Sequence, residues 1–195
     1  MNKMTSDYEL IQRFIKGEQS CFEQIIQRHK NKVYSYISLY IRDQALADDL
    51  FQDTFMKVIQ SVKAGKYYDN GKFLSWVMRI AHNLIIDHFR KVKQMKTVSN
   101  DDYESDIFNS KKFADATVED DMIRRQIQKD VRKMISLLPE DQREVVILRH
   151  YAGLSFKEIA GITDVSINTA LGRMRYALIN MRKLMEEKKI SLTLN

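Results

Sequence analysis

Apolar residues recur along this chain three and four positions apart, in stretch after stretch, which is the rhythm of helices that each bury one stripe. The longest such run is FLSWVMRIAHNLIIDHFRKVK, Phe73 to Lys93, with apolar side chains at Phe73, Trp76, Val77, Ile80, Ala81, Leu84, Ile85, Phe89 and Val92. It predicts one helix of roughly 30 Å. Beside the stripe lie Arg79, Asn83, Arg90 and Lys93, with His82 and Lys91 near them. Cations and amides next to an aromatic suit a nucleic-acid backbone and a few bases. They equally suit a solvated helix face.

Three helices are predicted before it. Ser6 and Glu9 form a capping box ahead of YELIQRFIKG, and Gly17 ends that helix. A second helix starts near Ser20, with Phe22, Ile25, Ile26, Val33, Tyr36, Ile37 and Tyr40 inward and His29 read as a surface residue. A third spans Asp43 to Gly65, burying Leu46, Leu50, Phe51, Phe55, Val58, Ile59 and Val62. Its outer surface gathers Asp48, Asp49, Gln52 and Asp53, which either favour the positive end of the helix or suit a partner helix bearing Arg or Lys. The loop KYYDNGK carries a turn signal and sets Tyr67 and Tyr68 beside Trp76. Such aromatics serve as core or lid residues, or stack on unpaired bases.

After Lys96 the periodicity stops. Residues 97–118 are rich in Ser, Asn and Asp and read as an acidic linker. A helix over 119–138 follows, with Met122, Ile123, Ile127, Val131, Met134, Ile135 and Leu138 inward. Pro139 opens the next helix, which ends at Gly153. Ser155 and Glu158 make a second capping box for a short helix through Ala160; a tight turn to Ser166 then leads into INTALGRMRYALINMRKLMEEKK. The buried stripe there is Ile167, Ala170, Met174, Ala177, Met181 and Leu184. Asn168, Thr169, Gly172, Arg175 and Tyr176 point outward, with Arg173 on the flank. Two helices joined by a short turn, the second amphipathic and basic, describe a helix-turn-helix whose second helix enters the major groove. Asn reads adenine and Arg reads guanine there; Gly172 permits close approach, and Lys157 and Arg173 suit phosphate.

Composition narrows the field. One proline and six glycines in 195 residues leave few breakers, so the fold class is all-α, with two small helical domains at 1–96 and 119–195. The net charge of +6 favours an acidic partner. Cys21 is the only cysteine, which excludes an internal disulfide and suits a core position in a cytoplasmic protein. Neither a signal peptide nor a membrane span of roughly 20 residues is expected.

A family resemblance rests on two motifs. Ala47-Asp48-Asp49-Leu50-Phe51-Gln52-Asp53-Thr54-Phe55-Met56-Lys57-Val58 resembles the polymerase-binding helix of the extracytoplasmic-function (ECF) class of bacterial sigma factors. The spacing of Phe73, Trp76-Val77, Ile80-Ala81, Asn83, Asp87, Arg90 and Lys93 resembles that class's helix for the promoter −10 element. Later, Leu-Pro-Glu, Gly-Leu-Ser, Glu-Ile-Ala and Val-Ser in order resemble its −35-binding domain. The resemblance implies core RNA polymerase as partner for Asp48, Asp49, Gln52, Asp53 and Phe55. It implies −10 contacts, with capture of a flipped base, for Tyr67, Tyr68, Trp76, Arg79, Asn83, Arg90, Lys91 and Lys93. It implies −35 duplex contacts for Lys157, Ser166, Asn168, Thr169, Gly172, Arg173, Arg175 and Tyr176. An anti-sigma partner is also implied, and no cofactor. The linker would thread the polymerase near the RNA path. Two departures stand out: Asp164 occupies a common turn-glycine position, and Leu171 a frequent lysine position.

Two other classes are weighed against this one. A plain helix-turn-helix regulator explains the second half and leaves the first without purpose. An enzyme would have to use His82, Asp87 and His88, whose spacing does not converge as an i, i+4 pair does; no catalytic residue and no metal site is expected.

Overall fold

The computed structural model describes residues 5–41, 43–68, 71–96, 126–127 and 130–188. The protein is all-α, and among the described residues there is no strand. It divides into two compact units, Met1–Asp102 and Tyr103–Asn195. The expected linker at 97–118 lies outside the described residues, as do Met122 and Ile123.

The first unit contains α1 (Asp7–Ile15), α2 (Gln19–Tyr40), α3 (Gln44–Lys63) and α4 (Phe73–Lys96). The expected capping box is formed: the Glu9 backbone N–H donates to Ser6 Oγ at 3.2 Å, and the Ser6 N–H donates to the Glu9 carboxylate at 3.0 Å. Gly17 then takes a φ of 109°, open to glycine and strained for other residues. Asp43 caps α3 by accepting the Leu46 N–H at 2.9 Å. α2 is central, packing on α1, α3 and α4, while α3 also packs on α4. Leu10, Ile25, Tyr36, Ile37, Val58, Val77, Met78 and Ile85 are buried between them. Each such side chain stabilises the fold by about 1.5–3 kcal/mol relative to exposure. Phe22 links Phe14 (4.8 Å between ring centres) to Phe55 (6.4 Å, edge-on). Cys21 is fully buried, in keeping with its core reading.

The buried side of α4 is rotated from the expected stripe. Met78, which the pattern missed, is fully buried, while Trp76, Ile80 and Leu84 are only half-buried. Phe89, expected inward, is 41% exposed for a separate reason. No described residue of α4 beyond Ile85 is buried, so its last turns run past the core. His29, expected at the surface, is only 8% exposed. Its Nε2 lies 2.8 Å from Asp7 Oδ2 because α1 folds against α2, and its ring rests 5.5 Å from Phe73.

The second unit contains α5, described over residues 130–136, then α6 (Glu140–His150), α7 (Phe156–Thr163) and α8 (Ile167–Lys188). Met134, Ile135, Leu138, Val145, Ile147, Leu148, Ile159 and Ile162 supply its aliphatic core. Pro139 sits at the N-cap of α6 rather than in its first turn. The second capping box, Ser155 with Glu158, is present, and α7 continues to Thr163, past the expected end at Ala160. Gly161 does not break it, since one glycine inside a helix costs only about 1 kcal/mol. Among the described residues no helix is long and apolar enough to cross a membrane.

Candidate nucleic-acid interface

The acidic surface of α3 is narrower than expected. Asp49, Gln52 and Asp53 are exposed, and Met56, 54% exposed, continues their line at i, i+3, i+4 and i+7. Asp48 is half-buried and hydrogen-bonds the Tyr34 hydroxyl; burial first, then this carboxylate, pushes the Tyr34 phenol up from its ordinary pKa. Phe55 is a correction: at 4% exposure it packs on Phe51 (5.0 Å) and Phe22 (6.4 Å), inside the core. Burial of that ring is what seats the helix, and it leaves Phe55 no surface for a partner. Met56 was overlooked because apolar residues are assigned inward by default; its position seven after Asp49 was the available signal. A flexible thioether beside carboxylates suits a protein partner.

The start of α4 forms an aromatic corner. Trp76 is half-buried, 4.6 Å from the Tyr67 ring and 5.9 Å from Phe73, and Tyr67 meets Phe73 edge-on at 5.6 Å. Tyr68 stands apart, 88% exposed. Trp76, Arg79, Asn83 and Arg90 fall at i, i+3, i+7 and i+14, one face of the helix. All three polar members are exposed, and Arg90 makes an exposed ion pair with Asp87 at 3.3 Å. Lys93, three residues after Arg90, continues that line and is exposed, and Lys91 is exposed beside it. Asn83 also borders a cleft of about 180 Å³ with Ile80, Lys57, Gln60 and Ser61. Lys57 and Gln60 were not singled out by the pattern, since only packing of α3 on α4 brings them to Asn83.

Asp7 anchors the far side of this corner. Burial raises its pKa, but hydrogen bonds and charge from His29 and Arg28 outweigh that, and the carboxyl is held below its ordinary value. Arg28 also donates to the Thr5 carbonyl at 2.8 Å. The order of contact is therefore Asp7, His29, Phe73, then Tyr67 and Trp76.

In the second unit, α7 and α8 form the expected helix-turn-helix. Asp164 closes α7 at φ 53°, ψ 46°, the left-handed conformation that Asp tolerates. Ser166 caps α8, accepting the Thr169 N–H at 3.0 Å, and its hydroxyl lies 2.8 Å from the Thr169 hydroxyl. Those two hydroxyls are thus engaged with each other. Asn168, Arg175 and Tyr176 are exposed, and Lys157 is exposed on α7. A side chain at Gly172 would meet nothing within 4 Å, so the space above it is open. Arg173 is held back: its Nε pairs with Asp141 Oδ2 at 3.2 Å and the side chain is 25% exposed. Asn180 donates to Gln142 at 2.8 Å, a second tie between α8 and α6. Arg149 donates to the Leu154 carbonyl at 2.8 Å and stacks over Phe156, fixing the α6–α7 connection. Ile167 is a further correction; expected inward, it is 45% exposed, on the flank of the stripe that Ala170 and Ala177 bury. Leu171 is 44% exposed beside it.

The chain matches Sigma-70 region 2 over residues 25–94 and Sigma-70 region 4 over residues 128–175. It is 29% identical over 182 residues to the RNA polymerase sigma factor CarQ of Myxococcus xanthus, covering 93% of this chain and 99% of that protein. It is 26% identical over 192 residues to the ECF RNA polymerase sigma-E factor of Haemophilus influenzae, covering 96% and 97%. In fold it resembles the sigma factor RpoE crystallised with the anti-sigma factor NepR from Bartonella quintana, with a TM-score of 0.68 at 22% identity over 85% of this chain and 96% of that one. CnrH, solved in complex with the cytosolic domain of CnrY, gives 0.64 at 20% identity over 94% and 99%.

Proposed function

Because this chain belongs to the ECF class of bacterial sigma factors, we propose that it binds core RNA polymerase, directs it to −10 and −35 promoter elements and helps open the duplex. The observation that carries this reading is the pairing, in one chain, of an exposed acidic helix face with a helix-turn-helix. A stand-alone DNA-binding regulator has use for the second only.

Asp49, Gln52, Asp53 and Met56 form the surface that meets polymerase, with Asp48 at its inner edge. Phe55 supports that surface from below. Tyr68, Arg79, Asn83 and Arg90 meet the −10 strand, where Trp76 and Tyr67 offer an edge on which an unstacked base rests. Stacking of this kind is worth about 1–3 kcal/mol per base and offsets the few kcal/mol of unstacking. Lys91 and Lys93 hold phosphate on the turn that carries Arg90. At −35, Asn168 and Arg175 read base edges, Gly172 and Tyr176 lie against the groove, and Lys157 holds phosphate. Ser166 and Thr169 shape the helix N-terminus, which itself favours phosphate. Arg173 joins them only by leaving Asp141.

The polymerase performs the bond-making chemistry, and this protein supplies position and strand capture. Its place of action is the cytoplasm, with the polymerase. An anti-sigma protein that covers these faces is the expected regulator; the RpoE of similar fold was crystallised with the anti-sigma factor NepR. The test is to mix the full chain with core polymerase and promoter DNA. Co-elution and promoter-dependent transcripts are expected. A well-folded chain giving neither overturns the reading.

A further inference from the structure

The outward face of α8 is more apolar than a duplex-reading helix requires. Ile167 and Leu171 are 45% and 44% exposed on successive turns, beside the exposed Asn168 and Arg175. Neither packs into the core, which takes Ala170 and Ala177 from this helix instead. Leaving two large aliphatic side chains in water has no return in stability. In the major groove one base feature is apolar and lies within reach of such side chains, the C5 methyl of thymine. Residues four apart on a helix are separated by about 6 Å along its axis, close to two base-pair steps of roughly 3.4 Å each. We infer that Ile167 and Leu171 are sequence-determining residues that contact thymine methyl groups in the −35 duplex, so that this protein prefers a −35 element carrying thymine under the first turns of α8.

This rests on the sigma-factor reading and adds a base preference to it. Charge supports a nucleic-acid occupant over a protein one: Arg175 and Arg182 are exposed on the same side of the helix, and Glu186 and Glu187 come only in its last turns. A lysine at position 171 would hold a phosphate whatever the base. A leucine there exchanges a sequence-independent contact for a sequence-dependent one.

The experiment uses the full chain assembled with core polymerase. The preferred −35 sequence is first selected from a randomised promoter pool. Each thymine of that element, on either strand, is then replaced by deoxyuridine, which keeps the base pairing and loses only the methyl. Expected is about fourfold weaker promoter binding at one or two positions, the loss that goes with one methyl-sized apolar contact. Leu171→Ala should bind thymine and uracil promoters equally at one of those positions. Leu171→Lys should also abolish the discrimination while steepening the salt dependence by about one ion. Both changes are at an exposed helix site and leave folding intact, which the melting temperature checks. A selected −35 element without thymine, or full binding after every uracil replacement, overturns the inference while sequence-specific selection keeps the sigma reading. Loss of binding equal on all duplexes points to a protein-facing or structural role for Leu171 and overturns it as well. Failure to select any promoter removes the sigma reading and this inference with it.

Discussion

The aromatic corner at the head of α4 and the outward face of α8 both present residues to nucleic acid, yet they are built in opposite ways. At the corner, Trp76 and Tyr67 lean on Phe73, Phe73 is 2% exposed against the His29 ring, and His29 is bonded to Asp7. On α8, Asn168, Arg175 and Tyr176 stand in water over a helix seated by Ala170 and Ala177. In the first region a change to the contacting surface also disturbs the core. In the second, recognition is carried by side chains that the fold does not need. Base specificity can therefore change on α8 at little cost in stability, whereas strand capture at the corner cannot.

The strongest way to break this contrast is Phe73→Ala. Emptying so buried an aromatic site should cost about 3–5 kcal/mol. Trp76, the single tryptophan, reports unfolding of the first unit by fluorescence during a urea titration of the full chain. An unchanged midpoint would mean that the corner is not coupled to the core. Promoter opening should fall with it, while −35 duplex binding by the second unit is retained.

Asp53→Arg sharpens the contrast from the other side. Asp53 is exposed on α3, so the first unit also owns one face separable from its core. A loss of polymerase affinity of about 2–4 kcal/mol is expected, as for a charge reversed at an interface anchor. The Trp76 unfolding midpoint should not move. Parallel loss of both would show that the acidic face is coupled to the core after all.

Arg175→Ala should relax the preference at one −35 base pair by about 1–3 kcal/mol. Its readout is binding to a panel of single-base variants, and its control is an unaltered melting temperature. A uniform loss over the whole panel would make Arg175 a phosphate contact instead.

The smallest effect is expected from Asp7→Asn. Its hydrogen bond to the Arg28 guanidinium is worth about 1.5–3 kcal/mol when buried; partial exposure at 24% reduces it to roughly 1–2. The sign with pH follows from a carboxyl held below its ordinary value. Stability from Asp7 is complete above the unfolded pKa of about 3.9 and disappears as pH falls through the lower folded value. The wild-type advantage over Asp7→Asn should thus be full at neutral pH, begin to fall near about pH 4 and vanish below the lower folded value. An advantage that persists there would assign it to packing rather than charge.

Much of both regions can be read along the chain. Ser6 with Glu9 and Ser155 with Glu158 are partners three residues apart, and each capping box forms as its spacing predicts; Ser166 accepts from Thr169 over the same interval. Asp164 is similar, because its left-handed turn depends on its own side chain and its neighbours. The residues that the pattern misjudged depend on distant ones. His29 leaves the surface for Asp7, 22 positions away; Met78 is buried because α4 turns that side to α2 and α3, and Phe89 is exposed because α4 runs past the core.

The sequence by itself determined the helices, their caps, the helix-turn-helix and the order of the two units, since each depends on periodicity or contacts within a turn. Tertiary structure alone decided which side chains were free to act. It turned Asp48 to Tyr34 and Arg173 to Asp141, brought Lys57 to Asn83, and left Ile167 outside. A helical wheel knows the angle of a side chain about its own axis. It cannot know which neighbouring helix covers that angle, nor which opposite charge waits there.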